Sequence, residues 1–340
     1  MNDLRVLVAL SGGVDSTAAA VLLQQAGYRC DGATLTLWGD DGAQAAAAAA
    51  EQLGMRFFVF DERQRFRTAV LDPFVADYCA GRTPNPCVNC NRALKFGAFL
   101  DRALELGYDY IATGHYARVD CADGVYRLLR GADRRKDQSY FLYTLTQRQL
   151  SHLLLPVGAY DKPSIRALAR QAGLAAADRS DSQDICFIPD GDYVRFLADR
   201  GAALTPGDFI DPHGNVLGQH RGLPCYTIGQ GKGLGIALGK HVYVLEKDAR
   251  RNTITLGDDR ALYRDSLCAG AVNWIAGMPS PVFRCCAKTR YSQTEADCTV
   301  TALSGGRIRV DFDTPQRAIT PGQAVVLYDD NVVLGGGIIM

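Results

Sequence analysis

The residues best suited to chemistry stand in the segment Ser11-Gly12-Gly13-Val14-Asp15-Ser16, directly after the apolar run 6–10. The pattern predicts a buried strand, a loop of small residues and a helix over 17–26. Glycines let the backbone approach an anion, hydroxyls add donors, and free N–H groups at a helix N-terminus attract negative charge. The segment therefore predicts a phosphate site, although it is neither a Walker A loop nor a Gly-x-Gly-x-x-Gly dinucleotide motif. A glycine-rich turn without a ligand is the alternative, which two serines flanking an aspartate make less favourable.

A second cluster, GRTPNPCVNCN at 81–91, presents Cys87 and Cys90 in a Cys-x-x-Cys spacing. We expect Cys90 to open a helix over 92–106, whose N-terminus would stabilise the thiolate and raise its reactivity. A structural zinc site needs four ligands, and the sequence has no second Cys-x-x-Cys or paired His motif. A third segment, DSQDICFI at 181–188, contributes Cys186. A phosphate loop combined with these thiols suggests sulfur chemistry coupled to ATP.

The composition is that of a globular protein with two or three domains. The 340 residues include 37 Lys or Arg and 37 Asp or Glu, a balance that argues against a generally polycationic nucleic-acid binder. No apolar run reaches membrane-spanning length and the start does not resemble a signal peptide, so we expect a cytoplasmic protein with no membrane partner. In that compartment most of the 11 cysteines are expected to be reduced.

Alternating strand-like and helix-like segments must position these residues. The predicted strands are Arg5–Leu10, Gly32–Leu37, Arg56–Phe60 and Tyr108–Thr113, and the predicted helices are 17–26, 43–53, 63–79 and 92–106. This order predicts an α/β fold with a doubly wound parallel sheet and ligands at the carboxyl ends of its strands. Short β-type runs follow, which predict a small, mostly β central domain and then a C-terminal antiparallel β-barrel. The predicted domains are residues 1–198, 199–262 and 263–340.

Seven motifs occur in a fixed order: SGGVDS, GRTPNPCVNCN, YIATGHYAR (110–118), KDQSYFLYTL (136–145), SQDICFI, KTRYSQ (288–293) and TPGQAVVLYDDNVVLGGGII (320–339). Together they resemble the bacterial tRNA-specific 2-thiouridylase family over essentially the full chain. SGGVDS alone would indicate only the wider ATP pyrophosphatase superfamily. The resemblance implies an adenine nucleotide α-hydrolase-like first domain. It also implies a tRNA-binding sulfurtransferase that uses ATP with Mg²⁺ to adenylate O2 of the wobble uridine. Sulfur then replaces that oxygen, and AMP and pyrophosphate are released.

The resemblance further implies roles for individual residues. Sulfur would arrive as a persulfide on Cys186, from a sulfur-donor relay protein or a cysteine desulfurase. Cys90 would be the nucleophile, which either attacks the persulfide to release sulfide or assists attack on the activated carbon. Their turnover can leave a Cys90–Cys186 disulfide that must be reduced. The residues implied for ATP are Ala9, Leu10, Ser11, Gly12, Gly13, Val14, Asp15, Ser16, Leu35 and Gly114. The residues implied for tRNA are Asn85, Pro86, Cys87, His115, Lys136, Asp137, Gln138, Arg290, Tyr291 and Gln323.

Cys87 leaves an alternative open, because some members of the family carry Asp at this position, where an acid–base role is natural. Cys87, Cys90 and Cys186 could instead hold a [4Fe–4S] cluster with one open iron, although such clusters usually take four cysteines. We favour the persulfide route because it needs no extra cofactor.

Two rival functions also fit parts of the sequence. Another ATP pyrophosphatase that amidates or ligates a small molecule would need the phosphate loop but not the cysteines. A non-catalytic RNA-binding or metal-binding module would need neither ATP cleavage nor sulfur transfer. The basic run Arg127, Arg130, Arg134, Arg135 and Lys136 is either a solvated face or a grip on RNA phosphates.

Overall fold

A parallel five-stranded sheet forms the core of the first domain in the computed structural model, which describes residues 3–39, 42–174 and 185–340. The strands of this half of the chain are β1 Arg5–Ala9, β2 Arg29–Thr36, β3 Phe57–Asp61, β4 Tyr110–Ala112, β5 Ala117–Ala122, β6 Val125–Arg130 and β7 Leu153–Leu154. The sheet order is β3-β2-β1-β4-β7. The order reverses between β1 and β4, so a crevice opens outside their carboxyl ends.

Helices cover both faces of this sheet. They are α1 Val14–Gln25, α2 Ala43–Gln52, α3 over 63–79, α4 over 86–105, α5 Gln147–Ser151, α6 Lys162–Gln171 and, just beyond the sheet, α7 Tyr193–Asp199. Two of them contain a π-helical stretch, Arg67–Leu71 in α3 and Asn91–Ala98 in α4. None of the helices in the described part of the chain combines the length and the apolar sequence that spanning a bilayer requires.

The sheet forms where it does because β1 is apolar on both faces. Val6, Leu7 and Val8 are fully buried, as expected for a central parallel strand covered by helices on each side. The alanines Ala18, Ala19 and Ala20 let α1 pack closely into the same core, and most of its circumference is buried.

The second domain is built on a small four-stranded sheet. Its strands are β8 Gly207–Ile210, β9 Val216–His220, β10 Tyr243–Asp248 and β11 Thr253–Gly257, in the order β10-β11-β8-β9. Phe209, Tyr226 and Val244 are fully buried in its separate apolar core.

The C-terminal domain is a closed antiparallel barrel. Its strands are β12 Tyr263–Trp274, β13 Val282–Lys288, β14 Ala296–Leu303, β15 Arg307–Arg317, β16 Ala324–Asp329 and β17 Val332–Ile339. They pair in the order β12-β15-β14-β13-β16-β17, and β12 pairs with β17 to close the ring. Closure leaves the ring of six strands without a free edge. The hairpin of β5 and β6 pairs in addition with β17.

That hairpin joins the first domain to the barrel and changes the interpretation of the basic run. Arg130 on β6 is 3 % exposed, donates to Glu295 Oε2 at 2.9 Å, and stacks 3.8 Å from the centre of the Tyr328 ring. Arg127 is paired with Asp120 on β5. The run is therefore not one solvated face, because Arg130 is buried at an interface between domains. Only the exposed part of the run is available for a contact with RNA.

The predicted architecture is confirmed: a doubly wound α/β sheet, a central β domain and a C-terminal antiparallel barrel. Several element bounds were wrong. The first helix begins at Val14 rather than at 17, and the helix predicted over 92–106 begins at Pro86. The hairpin and β12 were not predicted as strands. The domain boundaries proposed from sequence stay a prediction.

A glycine between the sheet and the hairpin provides a test of this packing. A Cβ on Gly158 would lie 1.7 Å from the Ala117 carbonyl oxygen, so Gly158→Ala forces backbone atoms apart. We expect the melting temperature, followed by circular dichroism, to fall by about 5 °C or more. The matched control is Gly270→Ala, whose Cβ would meet only Met340 Sδ at 3.4 Å and the Arg307 side chain at 4.0 Å. Equal melting temperatures for the two variants would contradict this account.

Candidate active site

The loop 11–16 joins β1 to α1 and is folded by its own hydroxyl groups. The Ser11 N–H donates to Ser16 Oγ at 3.2 Å, while Ser16 Oγ and Thr17 Oγ1 donate to the Gly13 carbonyl at 3.1 and 2.9 Å. Gly13 is the N-cap of α1 and has no side chain with which to cap the first N–H groups. The positive end of α1 is therefore left for an anion at the carboxyl edge of the sheet.

Two glycines set the shape of this loop. Gly12 has φ +71°, and a Cβ there would lie 2.6 Å from Cβ of Ala45 on α2. A Cβ on Gly114, just after β4, would lie 2.6 Å from the Ser16 nitrogen and from the Asp15 carbonyl carbon. The segment after β4 thus packs directly on the first turn of α1, at the point where the sheet order reverses.

The carboxylate inside the loop is neutralised from a distant part of the chain. Lys162, 7 % exposed at the start of α6, donates from Nζ to both carboxylate oxygens of Asp15 at 2.8 Å. The Tyr116 hydroxyl donates to Asp15 Oδ1 at 2.7 Å. An unpaired carboxylate would repel a phosphate at this helix end, so the Lys162 pairing makes Asp15 compatible with an anion site. The sequence analysis missed Lys162 and Tyr116, since neither belongs to the loop motif.

The structure brings most of the residues implied for ATP to the β1–α1 junction. Ser11 is exposed, whereas Leu10, Gly12, Val14 and Ser16 are buried. Ala9 ends β1, and Leu35 lies one residue before the end of the neighbouring strand β2. Leu35 packs against the core of the sheet and against a second cluster that contains Cys90. It is thus partly a core residue, and it lies between the phosphate loop and the thiols.

Helix α4 carries two of the three thiols. The Asn85 side chain caps it by accepting from the Cys87 N–H at 3.2 Å, and Pro86 occupies the first turn, where no N–H is needed. Cys87 is exposed and Cys90 is 8 % exposed. Burial raises the pKa of the Cys90 thiol to about 11, with Lys95 opposing it. Although part of residue 87 reaches the surface, desolvation by the surrounding protein also raises the pKa of the Cys87 thiol.

The expectation of a stabilised thiolate at Cys90 is therefore wrong. Because α4 begins at Pro86, Cys90 lies in the second turn, beyond the range of the helix terminus. Its surroundings are apolar, with Leu94, Phe66 and Phe187 in the same cluster. Desolvation of the thiolate outweighs the favourable charge of Lys95.

Cys186 is held beside these thiols by its neighbours. It is exposed in a turn closed by the Ile188 N–H and the Ile185 carbonyl at 2.8 Å. Phe187 is buried against Phe66 and Phe74, in the cluster that surrounds Cys90. The Cys186 thiol is near enough to raise the pKa of both Cys87 and Cys90 electrostatically. The first four residues of the DSQDICFI segment, 181–184, lie outside the described residues.

The cluster alternative finds no support in this arrangement. Among the residues that the structure describes, which include Cys87, Cys90 and Cys186, no three His, Cys, Asp or Glu side chains are grouped as metal ligands.

A lysine and a histidine connect the thiols to the end of β4. His115 directly follows Gly114, its Nδ1 lies 2.7 Å from Thr113 Oγ1, and its ring lies 5.5 Å from the Phe96 ring of α4. Burial and, secondarily, the charge of Lys95 hold the pKa of His115 well below its usual range. The same Lys95 acts on Cys87 and Cys90. Lys95, like Lys162 and Tyr116, was not recognised from the sequence.

Several residues implied for tRNA also maintain the framework. Asp137 is buried and accepts from the Gly131 N–H at 2.9 Å, the Ser139 N–H at 3.1 Å and the Ser139 hydroxyl at 2.9 Å. Gln138 accepts from the Tyr116 N–H at 2.9 Å. Lys136, between the exposed Arg135 and the buried Asp137, is half-buried. Contact with tRNA stays a prediction for all three.

The other residues implied for tRNA lie where the barrel meets the first two domains. Gln323 donates to the Thr83 carbonyl at 2.8 Å, two residues before Asn85. The Arg290 guanidinium donates to the Ile228 and Ala318 carbonyls at 2.9 and 3.1 Å. Tyr291 stacks 4.5 Å from the Phe141 ring. The barrel thus supports the start of α4, where Asn85, Pro86 and Cys87 lie.

Comparison with known proteins gives matches along the whole chain. Family models match in order: a tRNA methyl transferase HUP domain over 4–190, a tRNA methyl transferase PRC-barrel domain over 194–258 and an aminomethyltransferase beta-barrel domain over 252–339. The chain is 47% identical to the tRNA-specific 2-thiouridylase MnmA of Symbiobacterium thermophilum, over 98% of this chain and 92% of that protein. Identity to the proteins of the same name is 45% for Acetivibrio thermocellus, over 100% of both chains, and 48% for Moorella thermoacetica, over 98% of both.

The difference in burial between the thiols predicts an order of reactivity. At pH 8 we expect iodoacetamide to alkylate Cys186 at least about tenfold faster than Cys90, because Cys90 is buried and its thiolate is scarce. The Cys90 rate should keep rising up to pH 10, since its pKa lies near 11. Peptide mass spectrometry after timed quenching measures both rates. A Cys90 rate that levels off below pH 9 would show that the burial argument fails.

Proposed function

Because this chain belongs to the family of tRNA-specific 2-thiouridylases, we propose that it replaces O2 of the tRNA wobble uridine with sulfur in an ATP-dependent reaction. The observation that carries the proposal is that the phosphate loop, the end of β4 and the thiols lie next to one another. Gly114 packs on the phosphate loop, His115 follows it, and Lys95 acts on His115 and on the Cys90 thiol. An anion site and a thiol site therefore share one edge of the sheet.

The first step would be activation of the uracil oxygen. An amide-type oxygen is a poor leaving group and AMP is a good one, so O2 attacks the α-phosphate of ATP and pyrophosphate departs. The uncapped start of α1 and the hydroxyls of the loop would hold the phosphates. ATP would enter as its Mg²⁺ complex, with phosphate oxygens carrying the metal, since the carboxylate of Asp15 is already paired with Lys162.

The second step would be sulfur transfer. A relay protein or a cysteine desulfurase would load a persulfide onto Cys186, whose exposed position suits delivery from another protein. Cys90 would attack Sγ of Cys186, which forms the Cys90–Cys186 disulfide and releases HS⁻. Hydrosulfide would then attack C2 of the adenylated uracil and expel AMP, and a thiol reductant would reopen the disulfide.

The tRNA would lie over the start of α4. Asn85, Pro86 and Cys87 surround the thiol site, and the exposed part of the basic run could contact the phosphate backbone. A cytoplasmic location fits this substrate.

Two other activities explain less of the site. A small-molecule ligase would use the phosphate loop and leave Cys90 and Cys186 without a task. Methyl transfer, which the description of the first family model names, would need neither ATP cleavage nor a pair of thiols. Sulfur transfer to an activated oxygen uses both halves of the site.

Removing each thiol should separate the two steps. In Cys90→Ser and Cys186→Ser we expect 2-thiouridine formation to fall about 100-fold or more, because sulfide release needs both sulfurs. ATP–pyrophosphate exchange in the presence of tRNA should stay within about threefold of wild type, since adenylation precedes the sulfur step. Nucleoside mass spectrometry and labelled pyrophosphate measure the two activities.

Cys268→Ser is the matched control, because this thiol is exposed on the barrel outside the site. It should leave both activities intact. Thiolation that survives in both active-site variants would rule out this sulfur chemistry. Wild-type protein that shows no exchange with tRNA would rule out the proposed function as a whole.

Gly114 provides a test of the nucleotide site. In Gly114→Ala the new Cβ would lie 2.6 Å from the first turn of α1, so the loop must shift. We expect about tenfold or greater loss of affinity for a non-hydrolysable ATP analogue, measured by titration calorimetry without tRNA. Gly270→Ala should bind as wild type does. Unchanged affinity in a folded Gly114→Ala variant would place the nucleotide elsewhere.

A further inference from the structure

Lys95 occupies its position because α4 changes its winding. The segment Asn91–Ala98 is π-helical, so its turns close between residues five apart rather than four. Cys90 immediately precedes this segment, and Lys95, within the segment, lies five residues after Cys90. In an α-helix a spacing of five would point the two side chains in different directions, whereas a π-helical turn brings them toward the same side. π-helical insertions are frequent at functional sites.

The ammonium group of Lys95 has no ion pair or hydrogen bond with the residues that the structure describes. Among residues 3–39, 42–174 and 185–340, no carboxylate lies within ion-pair distance of Lys95, and its side chain makes no hydrogen bond there. The side chain is half-buried on a helix whose next residue, Phe96, lies against His115. A half-buried lysine that no described residue pairs suggests a task in the site it faces.

The groups that face Cys90 are few. Cys87 precedes it on the same helix, Cys186 approaches from the turn 185–188, and Lys95 follows across the π-helical turn. Both thiols would disfavour a negative charge on Cys90, and burial disfavours it further. Within the described part of the chain Lys95 is the cation that acts on this sulfur.

We propose that Lys95 is a positioning residue for sulfur transfer: its ammonium group stabilises the buried Cys90 thiolate that attacks the Cys186 persulfide. The part that Lys95 plays in sulfur transfer rests on the proposed function. In the step, the Cys90 Sγ electron pair forms the bond to Cys186 Sγ, the persulfide S–S bond breaks, and HS⁻ leaves with that bonding pair. The proton of the Cys90 thiol goes to solvent before the attack. The same ammonium group then faces the released hydrosulfide.

The test measures the thiolate itself, without tRNA, ATP or a sulfur donor. All variants carry Cys87→Ser, so that the tryptic peptide starting at Thr83 holds Cys90 as its single thiol; it ends at Arg92, or at Lys95 in the Arg92→Gln variant. The rate of Cys90 alkylation by iodoacetamide is followed from pH 7.5 to 10. In Lys95→Met we expect the pH–rate curve to move up by about one unit, which lowers the rate at pH 8 about tenfold. Lys95→Arg, which keeps the charge, should restore at least half of the wild-type rate.

The direction of the change separates charge from structure. A merely structural loss would loosen the cluster around Cys90, expose the thiol and speed alkylation, whereas loss of the charge slows it. Arg92→Gln, which removes a positive charge from the same π-helical segment, is the matched control and should leave the curve in place. A Lys95→Met rate within twofold of wild type, a faster rate, or an equal slowing in Arg92→Gln would overturn the proposal. Because alkylation needs no substrate, its result does not depend on the outcome of the thiolation assay.

Discussion

Burial of the Cys90 thiol is the constraint on which the rest of the site depends. Removing the sulfur from water raises its pKa to about 11, so near pH 7.5 only about one molecule in three thousand would carry a thiolate. The apolar cluster that causes this also brings the partner sulfur into place, because Phe187 is buried in it beside Cys186. In the proposed reaction, exclusion of water would also protect an adenylated uracil from hydrolysis. The burial that this reaction would use therefore also makes the Cys90 thiolate scarce.

The position of α4 is fixed by contacts from the barrel and from the sheet. On one side, Gln323 and the Pro321 carbonyl bind the backbone at Thr83, just before the helix starts. On the other, Asn91 donates to the Phe141 carbonyl at 3.3 Å, in the segment that follows the β5–β6 hairpin. Because that hairpin also extends the barrel sheet, the barrel is continuous with the wall of the thiol site. This explains why Asp137, Arg290 and Gln323 are engaged in the framework, although the family motifs associate them with tRNA.

The sequence was sufficient for features that local pattern controls. Apolar runs and glycines predicted the first-domain sheet, the phosphate loop and the barrel, since a buried parallel strand and a strand–loop–helix junction leave direct traces in composition. Lys162 could not be predicted, because it lies 147 positions after Asp15 and meets it only in the folded chain. The state of Cys90 depended on where α4 begins, and the Asn85 cap with Pro86 moved that start six residues earlier than periodicity indicated. Lys95 required the π-helical winding, which has no simple sequence signature.

The electrostatics of the thiol site follow from these positions. The raised pKa of Cys87 leaves its thiol protonated near neutral pH, so residue 87 adds no negative charge to the site in this chain. His115 is held neutral by burial and by Lys95. Among the described groups at this site, the ammonium of Lys95 is thus the formal charge that is present before reaction. A single fixed positive charge matches a reaction in which one negative charge moves in sequence from the Cys90 thiolate to hydrosulfide and then to the departing AMP.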